Sequence, residues 1–410
     1  MTNNTKTAPT RRVGVFIVGA RGAVGSCVAL GICGLRSGRI GTTGLVTARP
    51  IFEGVPLLDP GSLVLGGMEV REGTLADAAM RMADEGLMAR AEIDAARAAL
   101  GEIDREIVPG FLDAPDGPAG DGAGLYQETL SGRSLAPREI VARVRGALAG
   151  FRERNKLDAV VVVNLASTEA ARPAPDSWDR IAAFERDLAA GAAIPASSLY
   201  AYAAIDSGCA YVNFTPSLGA KPGALEELAK NRGVPHAGCD GKTGETLVKT
   251  VLAPLFRDRN LEVLAWEGYN LLGNSDGRTL ADPAHKAGKV ANKDQALRQL
   301  LGDRADMHTR VSIDYVPSLG DWKTAWDFIH FRGFFGTRMS LQFTWSGSDS
   351  ALAAPLVIDL VRLADLSQRR GESGAMLHTA AFFKSPVGCK ENDFHRQNAW
   401  LEEYARAARG

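Results

Sequence analysis

The 410-residue sequence lacks most of the features that announce a chemistry outright. Its five cysteines (Cys27, Cys33, Cys209, Cys239 and Cys389) are scattered, form no C-x-x-C pair and do not group with the six histidines. That argues against a zinc site, gives no metal assignment and fits a reducing compartment. No run of eighteen apolar residues occurs, and the N-terminal MTNNTKTAPTRR has no apolar core of the secretory kind. The expectation is a cytoplasmic protein with a loose tail over residues 1–11 and no membrane partner. Charge of one sign is missing too. With 47 Lys plus Arg against 48 Asp plus Glu, bulk charge offers nothing to nucleic acid, and any phosphate must be held by a local cluster. Hydrophobic content of 45% and charged content of 23% are those of a folded globular chain, long enough for one large α/β body with an embedded domain or for two ordinary domains.

What is present begins with RVGVFIVGARGAVGSCVALGICGL: a β-branched run, a glycine-rich turn, then small and apolar residues at helical spacing. Thr43 to Arg49 reads as a short extended piece, Ser62 to Val70 as a buried strand ending at Glu69, and 72–106 as helix. Residues 110–136 are rich in Gly, Pro and Asp and read as a mobile surface insertion without chemistry. A helix follows, then DAVVVVNLASTE, a continuous apolar strand of the kind buried on both faces of a parallel sheet. Ala183 to Ala204 reads as helix, AYVNFTP as strand and Ala224 to Asn231 as helix. This alternation indicates a doubly wound α/β sheet. After Leu261 the texture changes to longer alternating runs, which read as strands of one mixed, largely antiparallel sheet before helix returns at Ala354 to Arg370.

In GARGAVG the glycines at 19, 22 and 25 stand between strand and helix, the context of a dinucleotide fingerprint. Gly19 allows the tight turn, Gly22 lets backbone approach a diphosphate, and Gly25 permits close helix packing. Arg21 stands where the fingerprint has glycine, so a glycine turn without a nucleotide is the competing reading. Glu69 is a candidate for ribose hydroxyls, although it lies well beyond the usual spacing of about twenty residues; an ordinary surface glutamate is the alternative.

The second half concentrates polar residues in apolar or glycine-rich surroundings: CDGKTGET, YNLLGNSDG, HKAGKVANK, GDWK, GSDS and FFKSP. Lys289 and Lys293 stand four apart, which on a helix places both on one face. At about 4 Å and an effective dielectric of about 20 they would repel by roughly 4 kcal/mol, enough to leave one neutral as a base while the other serves phosphate or an oxyanion. A lone lysine is ordinarily a solvated surface residue, a reading that weakens for Lys384 between AAFF and Ser-Pro. Residue types alone reach redox chemistry on a phosphorylated polyol and stop there.

These segments, in this order, resemble the inositol-3-phosphate synthases. YNLLGNSDGRTL resembles the family's YNHLGNNDG segment, GARGAVG its nucleotide loop, GMEV its GWDI-like segment and NLASTE its TANTE-like strand end. CDGKTGET is similar to its DDxKSGQT loop and SDSALAAPLVIDL to its EDSxxAxPLIIDL segment. The resemblance runs from about Val13 to Pro386. It implies a Rossmann-type domain over 12–246 and 351–410, with a catalytic and tetramerisation domain inserted at 247–350. It also implies NAD, bound by Gly19, Ala20, Gly22, Ala23, Val24, Gly25, Glu69, Ala166, Ser167, Asp240, Thr243 and Asp349, and a homotetramer. Lys289, Lys293, Lys323 and Lys384 would be the active-site lysines, with Asn274 and Asp276 completing the catalytic pocket. The implied reaction oxidises carbon 5 of a hexose 6-phosphate, closes a ring by aldol addition and reduces the ketone again, leaving NAD regenerated. Within that reaction the expectation places Lys289 and Lys384 at the oxygen on carbon 5, Lys323 at the aldehyde oxygen and Lys293 on phosphate. Leu271, Ser275, Ser167, Glu245 and Glu69 depart from the family pattern, and most are expected near the cofactor or the sugar. They leave glucose 6-phosphate, giving inositol 3-phosphate, as the first expectation. Fructose 6-phosphate, giving a five-membered ring, is the second, and a simple dehydrogenase the third. A cation requirement is left open.

Overall fold

The computed structural model describes residues 11–111, 135–169, 172–273, 277, 297–302 and 304–409. Its strands are β1 (Val13–Val18), β2 (Val64–Glu69), β3 (Ile107–Pro109), β4 (Ala159–Asn164), β5 (Ala210–Asn213), β6 (Pro235–Gly238), β7 (Glu262–Leu272), β8 (His308–Tyr315), β9 (Trp322–Arg332), β10 (Arg338–Ser348) and β11 (Gly374–Ala375). Its helices are α1 (Ala23–Arg36), α2 (Leu75–Asp84), α3 (Arg90–Asp104), α4 (Pro137–Arg154), α5 (Ile181–Ala190), α6 (Ala196–Asp206), α7 (Gly223–Arg232), α8 (Glu245–Asp258), α9 (Asp349–Arg369) and α10 (Phe394–Ala407).

Among the described residues seven strands pair in parallel in the order β3-β2-β1-β4-β5-β6-β11. The sequence reverses direction across the sheet between β1 and β4, the point at which doubly wound sheets open a crevice at their carboxyl ends. Both strands are buried throughout, because each face carries helices. Val13, Val15, Ile17, Val161 and Val163 pack with Val28 and Ile32 of α1 and Val357, Leu360 and Val361 of α9. The alternate residues Phe16, Val18, Val160 and Val162 pack with Val144, Leu148 and Phe151 of α4 and Leu199 of α6. The period of two in a strand assigns these side chains to opposite layers.

A second sheet has the order β10-β9-β7-β8, with β7 and β8 parallel and the other pairs antiparallel. Both sheet types match the sequence reading of an α/β fold. One face of the second sheet packs Val263, Trp266 and Ile329 against Ala253 and Phe256 of α8. Its other face leaves Tyr269, Leu271 and Trp326 exposed. Under the covered face Lys249 lies 2.6 Å from Glu245 and 3.4 Å from Asp327, and Trp266 Nε1 donates to Asp327 at 2.8 Å. Burial pushes the Asp327 carboxyl up against the opposing pull of Lys249, and the charge of Glu245 adds to the rise. No helix among the described residues is long and apolar enough to cross a membrane.

Four local expectations change. Thr43 to Arg49 is not extended: it holds a 3-10 turn at Val46–Ala48, because the Thr47 amide and hydroxyl both donate to buried Asp359 on α9. The stretch 72–106 is two helices, parted near Gly86, whose φ of +80° ends the first. Ala183 to Ala204 likewise divides at left-handed Gly191 and Pro195. Of the insertion at 110–136, residues 112–134 lie outside the described residues. Its first two residues are buried, and the Phe111 amide donates to the Tyr200 hydroxyl at 2.6 Å.

Candidate active site

The glycine loop is shaped by close approach. Gly19 has φ +84°, and a Cβ there would stand 2.9 Å from the Ala166 backbone where the chain leaves β4; one on Gly25 would stand 2.5 Å from the Ala20 carbonyl. Gly22 caps α1 with no side-chain hydrogen bond, and the first turn carries no acid. The opening amides of α1 therefore have no acceptor within the helix, and Gly22, Ala23 and Val24 border a cleft at the switch point. Beside them, Glu69 ends β2. Its Oε2 accepts from the Arg21 amide at 2.6 Å, and its Oε1 accepts from the amides of Val70 and Arg71 at 2.8 and 3.0 Å. The long sequence gap before Glu69 is taken up by 3-10 turns between α1 and β2, so this acid is at the end of the second strand after all. It is 5% exposed, which removes the surface-glutamate alternative.

From the loop the cleft runs past Ala166 and Ser167 to Asp240, Thr243, Asp349 and Lys384. Two ion pairs close this end. Lys384 Nζ meets Asp240 Oδ1 at 2.8 Å, and the Lys384 amide donates to the Asp240 carbonyl at 2.7 Å. Lys323 Nζ meets Asp349 Oδ1 at 2.8 Å, and the Thr243 hydroxyl donates to the same oxygen at 2.6 Å. A Cβ on Gly244 would stand 2.7 Å from Lys323 Cε, so bare backbone there makes the room this lysine occupies. Burial alone would push the Asp349 carboxyl up; the Lys323 charge and hydrogen bond, the Thr243 donor and the Lys384 charge hold it well below the usual range.

The model of the NAD-binding myo-inositol-1-phosphate synthase family matches residues 13–406. The chain belongs to this family. Inositol-3-phosphate synthase 1 of Bacteroides thetaiotaomicron is 32% identical over 95% of this chain and 91% of its own length. The inositol-3-phosphate synthase of Spirodela polyrhiza is 29% identical over 97% of this chain and 86% of its own. In three dimensions the fold is that of Caenorhabditis elegans inositol-3-phosphate synthase, with a TM-score of 0.84 at 23% identity covering 98% of this chain and 86% of that one. A myo-inositol-1-phosphate synthase-related protein from Thermotoga maritima gives 0.76 at 23% identity, covering 97% and 99%.

The family implies NAD, and the residues fit it. Uncapped amides at α1 suit a diphosphate, and a Cβ on Gly22 would stand 3.2 Å from the Gly19 carbonyl and 3.3 Å from the Arg71 guanidinium, narrowing the approach. Of the residues that the family resemblance led one to expect in the site, Gly22, Ala23, Val24, Ala166, Ser167, Asp240, Thr243, Asp349 and Lys384 border one cleft, and Lys323 joins it through Asp349. Gly19 and Glu69 line an adjoining hollow with Phe111 and Tyr200. Ala20 and Gly25 stand behind the loop as packing. Asn274, Ser275, Asp276, Lys289 and Lys293 lie outside the described residues. Two departures from the family pattern are placed away from the cleft: Glu245 is turned into the pair with Lys249, and Leu271 lies on the exposed face of β7.

Two residues join the site, and a third stands behind it, that the sequence did not single out. Arg71 borders the cleft and donates to the Ser167 hydroxyl at 3.3 Å. Asp321 also lines it. Lys242, 2% exposed behind the cleft, donates to Gln397 at 2.8 Å, and burial pushes its ammonium down to about 7. The loop motif CDGKTGET contains Lys242, but nothing local shows that its side chain turns inward. No grouping of metal-ligand type occurs among the described residues.

Proposed function

We propose that this chain cyclises a hexose 6-phosphate by internal oxidation, aldol closure and reduction, glucose 6-phosphate giving inositol 3-phosphate. The observation that carries the reading is the convergence of two lysine–carboxylate pairs on a cleft that begins at the amides of α1. When bound, NAD supplies the oxidation and the matching reduction at carbon 5. The side chains do the rest. Lys384 and Lys289 donate to the oxygen on carbon 5 as its charge changes, Lys323 donates to the aldehyde oxygen that becomes an alkoxide, and Lys293 holds phosphate. Asn274 and Asp276 complete the pocket. Each carboxylate of the pairs fixes the direction of its lysine in a partly buried place.

The same cations serve a ketone at carbon 2, so fructose 6-phosphate closing to a five-membered ring is the second reading, supported by the departures at Ser167 and Ser275. Incubation with each sugar phosphate and catalytic NAD, followed by phosphorus NMR and mass spectrometry, separates the two. An isomeric cyclic phosphate from glucose 6-phosphate supports the first reading, and one from fructose 6-phosphate alone overturns it. Reduced nicotinamide accumulating with substrate consumed would instead mark a dehydrogenase. In the same proposal, residues 247–350 form the catalytic and assembly unit, inserted between 12–246 and 351–410. The enzyme is a cytoplasmic homotetramer joined through the second sheet, whose outer face exposes Tyr269, Leu271 and Trp326.

A further inference from the structure

Asp321 has no part in the chemistry just described, yet it is 4% exposed and well supplied with donors. It stands directly before β9, two residues ahead of Lys323. Its Oδ2 accepts from the Ser348 hydroxyl at 2.6 Å and from the Ser350 amide at 3.0 Å, and its Oδ1 accepts from the Ser350 hydroxyl at 2.6 Å. Ser348 and Ser350 flank Asp349, the partner of Lys323. The same two segments are therefore clasped twice: by Asp321 on the serines, and by Lys323 on Asp349 at 2.8 Å. The ladder sets the spacing, since Trp322 pairs with Ser348 and Lys323 with Gly347.

The outer clasp is anchored on the parallel-sheet side. The Asp321 amide donates to Glu85 Oε2 at 2.7 Å, and Trp322 Nε1 donates to the Glu85 carbonyl at 3.1 Å, just past α2. The Asp321 carboxylate sits at the start of α9, where the helix amides and dipole favour an anion. Stability alone does not recommend a buried carboxylate in the field of a second one, Asp349. A lysine side chain has four torsions, so a reproducible ammonium position needs its backbone and that of its partner fixed together.

We propose that Asp321 is a positioning residue, holding the start of β9 against the start of α9 so that Lys323 and Asp349 stay in register at the reacting end of the cleft. The catalytic consequence rests on the cyclase reading; the positioning itself does not.

The test uses the full chain with Asp321→Asn and, separately, Ser350→Ala, which removes one bond and leaves the carboxylate in place. Limiting acetic anhydride labels Lys323 against exposed Lys156 as internal standard, read by mass spectrometry. A Lys323 side chain released from its 2.8 Å contact with Asp349 meets the reagent more readily, so labelling of Lys323 rises about three- to tenfold in both variants, while kcat falls about tenfold with KM and NAD affinity within about twofold. Unchanged labelling in folded protein overturns the proposal, and so does a loss confined to thermal stability. Should Asp321→Asn fail to fold, Ser350→Ala decides by the same two readings. If labelling rises but the parent chain turns over neither hexose phosphate, the positioning stands and the cyclase reading falls.

Discussion

At the glycine-loop end of the cleft the binding groups are backbone: amides at the start of α1, shaped by three glycines and held by one buried acid, Glu69. At the other end they are side chains, two lysines and two carboxylates drawn from the loop after β6, the start of β9, the start of α9 and the segment after β11. The first end is continuous in sequence and can recognise any diphosphate of the right shape. The second exists only when distant segments meet, and it carries the charge that chemistry on an oxyanion needs. Affinity for the cofactor and turnover of the sugar phosphate should therefore be separable by substitution.

The largest expected effect breaks the lysine end. Lys384→Ala or Lys323→Ala removes an oxyanion donor and should lower turnover about 100- to 1000-fold, while NAD affinity by calorimetry stays within about threefold. Comparable losses of both quantities would mean that the two ends are not distinct. The reverse case is Glu69→Ala, which strips the Arg21, Val70 and Arg71 amides of their acceptor. NAD affinity should fall about 10- to 100-fold, with turnover at saturating NAD nearly kept.

Lys242 sharpens the comparison because it touches neither end, bracing the Asp240–Thr243 loop from behind through Gln397. Its ordinary value of 10.5 falls to about 7 in the folded chain through burial, with Cys389 opposing and Lys384 adding. Above pH 7 the folded state thus binds fewer protons than the unfolded one, and stability rises with pH until about 10.5. From pH 7 to pH 9 that contribution is about 2 kcal/mol. Lys242→Met should abolish it, and urea titrations of both proteins at the two pH values would show whether the slopes differ. The smallest effect belongs to Thr243→Val, which removes one of the donors on Asp349 and should cost turnover about three- to tenfold. An unchanged kcat would show that Lys323 alone fixes that carboxylate.

Local pattern made one end of the cleft readable in advance. The strand, glycine loop and helix at 13–36 and the apolar run of β4 are each specified within a few neighbours, and the alternating runs after Leu261 mark the second sheet for the same reason. Lys323, Lys384, Asp240 and Asp349 came from resemblance rather than from spacing. Asp321 was invisible because its meaning lies in two serines on another segment, and Lys242 because Gln397 is 155 residues away. Composition also concealed the helix breaks near Gly86 and at Gly191. The bend at Thr47 answers to Asp359, 312 residues on, where no local propensity speaks.

In the proposed reaction oxidation and reduction cancel within one active site. Glucose 6-phosphate and fructose 6-phosphate carrying deuterium at carbon 5, each incubated with catalytic NAD, test it most directly. Whichever sugar is consumed should yield a cyclic isomeric phosphate retaining the deuterium, with no net reduced nicotinamide. Deuterated reduced nicotinamide accumulating in step with an open-chain keto sugar would contradict it.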